Sequence, residues 1–279
     1  MSITPDKAAV HKFWNDASCG EGLYLKGESL KDRFNEQLKQ RYALEPEILE
    51  FTRFGQYAGK KVLEIGVGLG ADHQMWAEQR CDLYGIDLTE RAINWTQKRF
   101  EVFGLTSDLR VGDAENLPFS DKEFDVVYSW GVLLYCPDMY RAISEVHRVL
   151  KPGGEAIIML YHKWSFVGYM LWLRYALLRL RPWLSLKFIY SEYLESKGTQ
   201  AFTICEVRDF FQEFETVVID INLTHGDLLT SQAGQRHEGV VLRAARMILP
   251  RFIIRRFFIN HGLFMKIRAV KKGLSGRDA

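Results

Sequence analysis

The run VLEIGVGLG, residues 62–70, decides how this chain folds. Val62 to Ile65 reads as an apolar strand, three glycines alternate after it at Gly66, Gly68 and Gly70, and a helix-like stretch begins at once. Glycines in that rhythm let the backbone turn sharply and approach a ligand, because no Cβ stands in the way. A second apolar strand, Leu83 to Ile86, ends in Asp87, an acid placed to take two ribose hydroxyls. Together they imply a nucleoside-containing cofactor at the carboxyl ends of a parallel sheet.

Two cofactor classes fit those residues. Gly66, Gly68 and Ala71 satisfy the dinucleotide pattern G-x-G-x-x-G/A with Asp87 as its acid, so a nicotinamide-dependent dehydrogenase stays open. Three features pull the other way. Glu64 lies inside the first strand, and an acceptor there suits a cationic ammonium better than a pyrophosphate, which wants donors. Gly70 continues the i, i+2, i+4 rhythm. The run Val111-Gly112-Asp113-Ala114-Glu115 ends a third strand in acids that can accept from an adenine amino group. Downstream, FDVVYSWGVL (124–133) reads as a fourth strand, RVLKPGG (148–154) as a helix end and turn, and EAIIML as a fifth strand.

In this order the glycine loop, the strand-end Asp, the Asp-Ala pair and the KPGG turn resemble the class I S-adenosylmethionine-dependent methyltransferases. The style is nearest to the ubiquinone/menaquinone-type small-molecule branch, over residues 55–160. The resemblance implies an α/β fold: a Rossmann-like seven-stranded sheet, mostly parallel, with the last strand antiparallel. It also implies an N-terminal helical lid at residues 1–55 and a methyltransferase domain at 56–279, with helical insertions at about 161–200 and 225–261. S-adenosylmethionine is the cofactor it implies. Gly66, Gly68 and Gly70 would wrap the methionine part, with Glu64 supporting the ammonium and Tyr24 a candidate for the carboxylate. Asp87 would hold the ribose and Leu88 pack on the adenine, with Asp113, Ala114 and Glu115 at the adenine edge. Ser129 and Trp130 would flank the sulfonium. A nucleotide-fold domain that has lost its ligand, or a silent subunit that organises a partner, is the plainer alternative.

At 279 residues and 47% hydrophobic content the chain suits one elaborated α/β domain. A net charge of +2 gives no argument for nucleic acid as a partner, and the Asn/Asp-Pro-Pro-aromatic signature of amine-directed nucleic-acid methyltransferases is absent. The acceptor expected by default is a small molecule. Cys19, Cys81, Cys136 and Cys205 form no C-x-x-C pair, which suggests a reducing, cytoplasmic setting and no metal site. MSITPDKAAVHKFW lacks the profile of a secretory signal.

Methyl transfer needs alignment and exclusion of water, and a base only where the attacking atom must lose a proton. Strand carboxyl ends nominate Tyr128, Trp130, Tyr135, Tyr161, His162 and His225. His162, directly after MLY, is the candidate base, with Tyr161 beside it; the bland reading is a histidine bonded to the lid or a loop carbonyl. Two cationic apolar segments remain. WSFVGYMLWLRYALLRLRPWL (164–184) reads as one helix with Arg174 and Arg181 a heptad apart, too interrupted to span a bilayer. Residues 243–256 repeat the theme. Burial, a homodimer, or peripheral contact with a membrane would each cover them.

Overall fold

The computed structural model describes residues 6–228 and 251–273; the side chains of Leu23, Tyr24, Arg251 and Ile253 also lie outside the described residues. The role expected of Tyr24, and the segment 229–250 with Arg243 and Arg246, therefore fall outside them.

Four helices come first: α1 (Lys7–Asp16), α2 (Glu21–Tyr24), α3 (Leu30–Leu44) and α4 (Glu47–Thr52). Ser29 and Asp32 form a reciprocal capping box that starts α3. Strand β1 (Lys61–Ile65) then leads through the glycine loop into α5 (Ala71–Glu78). It is followed by β2 (Asp82–Asp87), α6 (Glu90–Phe103), β3 (Asp108–Val111) and β4 (Phe124–Trp130). After α7 (Met139–Val149) and β5 (Leu150–Tyr161) come α8 (Phe166–Tyr175), α9 (Leu186–Tyr193), α10 (Ile204–Phe210) and β6 (Thr216–Asn222). Among the described residues α11 (Arg251–Phe257) and β7 (Phe264–Val270) complete the order.

The sheet runs β3-β2-β1-β4-β5-β7-β6, with β7 antiparallel to both its neighbours and the other ladders parallel. This is the seven-stranded arrangement expected from the motifs. The central strands are buried on both faces, as parallel strands between helical layers must be: Val62, Leu63, Val126, Val127, Ile157 and Ile158 are nearly inaccessible. Helix α7 shows how a covering layer is specified. Its buried residues, Met139, Ala142, Ile143, Val146 and Val149, recur at three- and four-residue steps and form one apolar stripe. Because β1 leads to β2 and β3 on one side and β4 lies on the other, the strand order reverses between β1 and β4. Ligands bind at such a crevice in open α/β sheets.

Two local expectations change. The KPGG segment belongs to β5, which starts at Leu150; Gly153 takes φ +75° and its N–H donates to the Lys271 carbonyl, so the turn is absorbed as a register shift in the β4–β5 ladder. Residues 164–184 are not one helix. Helix α8 stops at Tyr175, a 3-10 turn covers Leu177–Arg179, Leu180 enters the left-handed region at φ +57°, and Pro182 cannot continue a helical ladder. The heptad stripe of Arg174 and Arg181 therefore does not exist.

Candidate functional site

Glycine plays three different parts in the loop after β1. Gly66 has φ +87°, and a Cβ there would meet Val132 Cγ2 at 2.2 Å. Gly70 has φ +74°, and its Cβ would press on Thr96 and Arg99 from within the fold. Only at Gly68, φ +54°, would a Cβ meet no protein atom within 4 Å, and Gly68 lines the cavity at the crevice. Gly68 thus faces open space in the cavity, while packing against the fold accounts for the other two. Arg99, fully buried, fixes the loop from beneath: its Nε donates to the Leu69 carbonyl at 2.7 Å, and its other nitrogens reach Gln74 and Gln37.

Asp87 stands at the end of β2 as expected. One oxygen accepts from the N–H and hydroxyl of Thr89 at 3.0 and 2.9 Å, and the other from the Gly68 N–H at 3.2 Å. Burial pushes its carboxyl up and these donors oppose the shift. The carboxylate is held in one orientation by the glycine loop on one side and the start of α6 on the other.

Glu64 is nearly inaccessible and sits 2.9 Å from His73 Nδ1, while His73 Nε2 is 2.8 Å from Ser107 Oγ. A serine hydroxyl has one proton, and Ser107 spends its own on the Leu83 carbonyl at 2.9 Å. His73 must therefore carry its proton on Nε2, and a neutral ring then offers Nδ1 as an acceptor. Burial pushes His73 down to about 3, and burial with the nearby Asp72 charge raises Glu64 well above the carboxylate range. The proton between them belongs to Glu64, so the two form a neutral hydrogen-bonded pair.

The N-terminal helices close over this crevice through polar contacts. Lys7 Nζ lies 2.6 Å from both Asp113 and Glu115, and Glu21 takes two hydrogen bonds from Arg91 at the start of α6. Arg41 pairs with Asp72 in the first turn of α5. Val10, Trp14, Ser18 and Cys19 join the cavity wall from the same segment. Two buried donors there, Trp14 Nε1 and Ser18 Oγ, have no hydrogen-bond partner.

Beyond the glycine loop the same cavity becomes aromatic. Trp130, Tyr135, Tyr161 and Phe264 line it, with the Tyr161 and Phe264 rings stacked at a 7° interplanar angle. Two carboxylates stand among them. Glu45 accepts from Trp130 Nε1 at 2.7 Å, and burial raises it to about 7; Glu195 accepts from the Tyr135 hydroxyl at 2.6 Å.

Of the residues singled out in the sequence, Glu64, Gly66, Gly68, Asp87, Leu88, Asp113, Ala114, Trp130 and Tyr161 meet at this one cavity. Others, His225 among them, stand outside its wall. Gly70 packs inward, and the Ser129 hydroxyl, fully buried, donates to the Ile65 carbonyl across the β1–β4 ladder. Glu115 is held by Lys7 and the Asp138 N–H. His162 is buried in the turn after β5, with its N–H on the Leu263 carbonyl and its Nδ1 unpartnered. Alternation explains it: side chains of successive residues in an extended segment point to opposite faces, and Tyr161 takes the cavity side. Tyr128 is turned instead toward Asp72. Arg41, Glu45, Asp72 and Glu195 had no motif to announce them. They are brought in by helices and an insertion whose packing no local pattern encodes. Among the described residues no group of His, Cys, Asp and Glu could hold a metal.

The cavity's chemistry fits S-adenosylmethionine. Asp87 offers acceptors for a diol, Asp113 lies at the next strand end, and Arg41 with Asp72 presents both signs of charge, beside the neutral Glu64, to a zwitterionic amino acid head. Comparison with known proteins agrees. Residues 63–158 match the family described as "Methyltransferase domain". Demethylmenaquinone methyltransferase of Tropheryma whipplei is 35% identical over 144 residues, half of this chain and 59% of that protein. Phthiotriol/phenolphthiotriol dimycocerosates methyltransferase of Mycobacterium tuberculosis is 42% identical over 98 residues, 34% of this chain and 36% of that protein. The chain thus spans less than two thirds of the length of either relative. In fold it is similar to the SpnF cyclase (TM-score 0.57, 15% identity, covering 98% of this chain and 99% of that one). A Thermotoga maritima S-adenosylmethionine-dependent methyltransferase is similar too (TM-score 0.50, 21% identity, covering 86% and 97%). Residues 63–158, which carry the glycine loop, Asp87 and Asp113, are thus a methyltransferase domain.

Proposed function

We propose that the protein methylates a small apolar or aromatic acceptor at oxygen, nitrogen or carbon. One observation carries the reading: a single cavity joins Gly68, Asp87 and Asp113 to Trp130, Tyr161 and Phe264. The first set suits the cofactor, and the second suits a flat, apolar acceptor beside it. The acceptors in the relatives' names, a quinone and a lipid, are of the same broad character.

Bound S-adenosylmethionine supplies an electrophilic methyl group on a sulfonium. The chain's own residues orient and deprotonate. Residues 1–55 act as the lid, with Lys7, Glu21 and Arg41 as its latches. Tyr161 and Phe264 align the acceptor ring. Where the acceptor is a hydroxyl, Glu195 would take its proton, directly or through the Tyr135 hydroxyl, leaving an oxygen able to accept the methyl group that the cofactor would supply. His162, the base nominated from its place in the chain, acts behind Tyr161 as a support of that wall. Cys19, Cys81, Cys136 and Cys205 are all free thiols, which suits a reducing, cytoplasmic setting. The cationic apolar segments call for a cover, either a membrane surface or a second copy of the chain.

The test is calorimetry with S-adenosylhomocysteine, then incubation with labelled S-adenosylmethionine and extract and identification of the labelled product. Asp87→Ala should weaken S-adenosylhomocysteine by about 1.5–3 kcal/mol, the scale of hydrogen bonds to a charged acceptor. Binding of NAD in its place, or cofactor binding without any labelled product, would sink the proposal.

A further inference from the structure

We propose that the tip that follows α8, together with α11, is a docking surface for an anionic lipid bilayer, seated beside the aromatic end of the cavity. The tip exposes large apolar side chains that a water-facing surface rarely carries together: Leu178, Leu180 and Trp183 are 65%, 83% and 75% exposed. In and just after α11, Phe252, Phe257 and Ile259 are each at least 61% exposed. Leu180 is the most telling. It occupies the left-handed cap position where glycine is usual, held there by Leu180 N–H to Leu177 and Arg181 N–H to Ala176, and its side chain touches almost nothing.

Charge chooses the partner. Residues 163–190 and 251–259 hold eight lysines and arginines and no acid, whereas the whole chain carries only +2, so the rest of the molecule is net acidic. Arg179, Arg181, Lys187, Arg255 and Arg256 are exposed among the apolar side chains. That mixture suits the boundary of a bilayer with anionic headgroups, where apolar groups enter the acyl region and arginine heads stay at the phosphates. A two-fold dimer through this face would set each cationic patch against its own copy. The two segments also adjoin. Phe166 of α8 packs on Phe258 with ring centroids 5.2 Å apart, and buried Ile254 joins the same cluster.

Position gives the surface its consequence. Helix α8 leaves the sheet just after Tyr161, and α11 leads into Phe264, its antiparallel partner; both residues line the cavity. Buried Asp227 locks the joint by accepting from the N–H groups of Val167, Thr224 and Leu263. A bilayer engaged by these elements lies next to the acceptor end of the site. Docking rests on these side chains alone; that it serves an acceptor drawn from the lipid phase rests on the transferase reading.

Cosedimentation of the full chain tests this, using phosphatidylcholine vesicles with and without phosphatidylglycerol. The protein should partition into the mixed vesicles only and be released by salt. Arg179→Gln and Arg181→Gln should each lower partitioning about fivefold, and Leu180→Ser with Trp183→Ser should lower it while leaving the remaining binding salt-sensitive. S-adenosylhomocysteine affinity, measured on the same samples, should not change, which separates failure of docking from failure of the transferase reading. Equal partitioning into both vesicles, none into either, or indifference to these four substitutions would overturn the proposal. So would a dimer in ultracentrifugation that the serine variants dissociate while vesicles are ignored.

Discussion

Arg41 of the N-terminal segment and Asp72 of the helix after the glycine loop form a two-point ion pair, Nε to Oδ1 at 2.8 Å and a terminal nitrogen to Oδ2 at 2.5 Å. The hydroxyls of Tyr42 and Tyr128 donate to the same carboxylate at 2.9 and 2.7 Å. Burial pushes Asp72 up, but Arg41 and the two hydroxyls prevail and hold it below the ordinary carboxylate range. The first turn of α5 also favours negative charge there. One aspartate thus ties α3, β4 and the floor of the cofactor loop together.

Removal of that anchor should be costly. Asp72→Ala leaves the half-buried Arg41 guanidinium to its longer contact with Glu45 at 3.9 Å, and we expect a loss of about 3 kcal/mol in urea unfolding. Arg41→Met combined with Asp72→Ala should cost clearly less than the two single losses summed, because the second change removes the stranded charge. Simple additivity would mean the pair is solvated and the lid is loosely held.

Gly68 and Gly66 should fail differently. Gly68→Val projects into the cavity, so it should abolish S-adenosylhomocysteine binding at a stability cost of about 1–2 kcal/mol for the left-handed backbone. Gly66→Ala drives a methyl into Val132 and should destabilise the fold itself, with partial recovery in the Gly66→Ala, Val132→Ala double variant. No recovery would place the damage in the backbone angle alone.

The carboxylate at the aromatic end supplies a kinetic prediction. Glu195→Gln should lower turnover by about 10²–10⁴-fold at unchanged cofactor affinity, and Tyr135→Phe should do so less severely. His162→Ala should change turnover by less than about threefold, since the ring is enclosed behind the wall. The opposite ranking would return the base to His162.

How far the sequence could be read depends on whether a residue's task is local. Asp87 and Asp113 were legible because a strand end places its last side chain at the crevice whatever else the chain does. The seven-stranded, mostly parallel sheet with its antiparallel last strand followed from the family resemblance that the motifs carry, while its strand order came only with the structure. Arg41, Asp72 and Glu195 were not legible: they meet only after helices far apart in sequence have packed, and no spacing rule encodes that. Gly66 and Gly70 were assigned to the cofactor because glycine has the same signature whether its missing Cβ makes room for a ligand or for Val132 and Thr96. The apolar run 164–184 looked helical throughout because exposure at Leu180 leaves no trace in periodicity.

The Glu64–His73 pair makes the pH dependence of stability predictable. Unfolded, Glu64 titrates near 4.5 and His73 near 6.5; folded, the acid is raised well above its value and the ring falls to about 3. Between pH 4.5 and 6.5 the unfolded chain holds one proton on His73 and the native protein holds one on Glu64, so this pair adds no slope. Below 4.5 the unfolded state binds one proton more than the native state, and stability falls with acid until the folded His73 titrates. Above 6.5 the native state holds the extra proton, and stability falls as pH rises toward the raised pKa of Glu64, by about 1.4 kcal/mol per pH unit at full separation. Glu64→Gln keeps a donor for His73 Nδ1 but has nothing to ionise. It should abolish the alkaline slope and, with no Glu64 proton to offset the one His73 gains on unfolding, move the onset of the acid limb from about 4.5 up to about 6.5, both visible in urea unfolding from pH 5 to 9. If the variant retains the wild-type slope above pH 6.5, the native pair is an imidazolium and a carboxylate, and the proton bookkeeping through Ser107 is wrong.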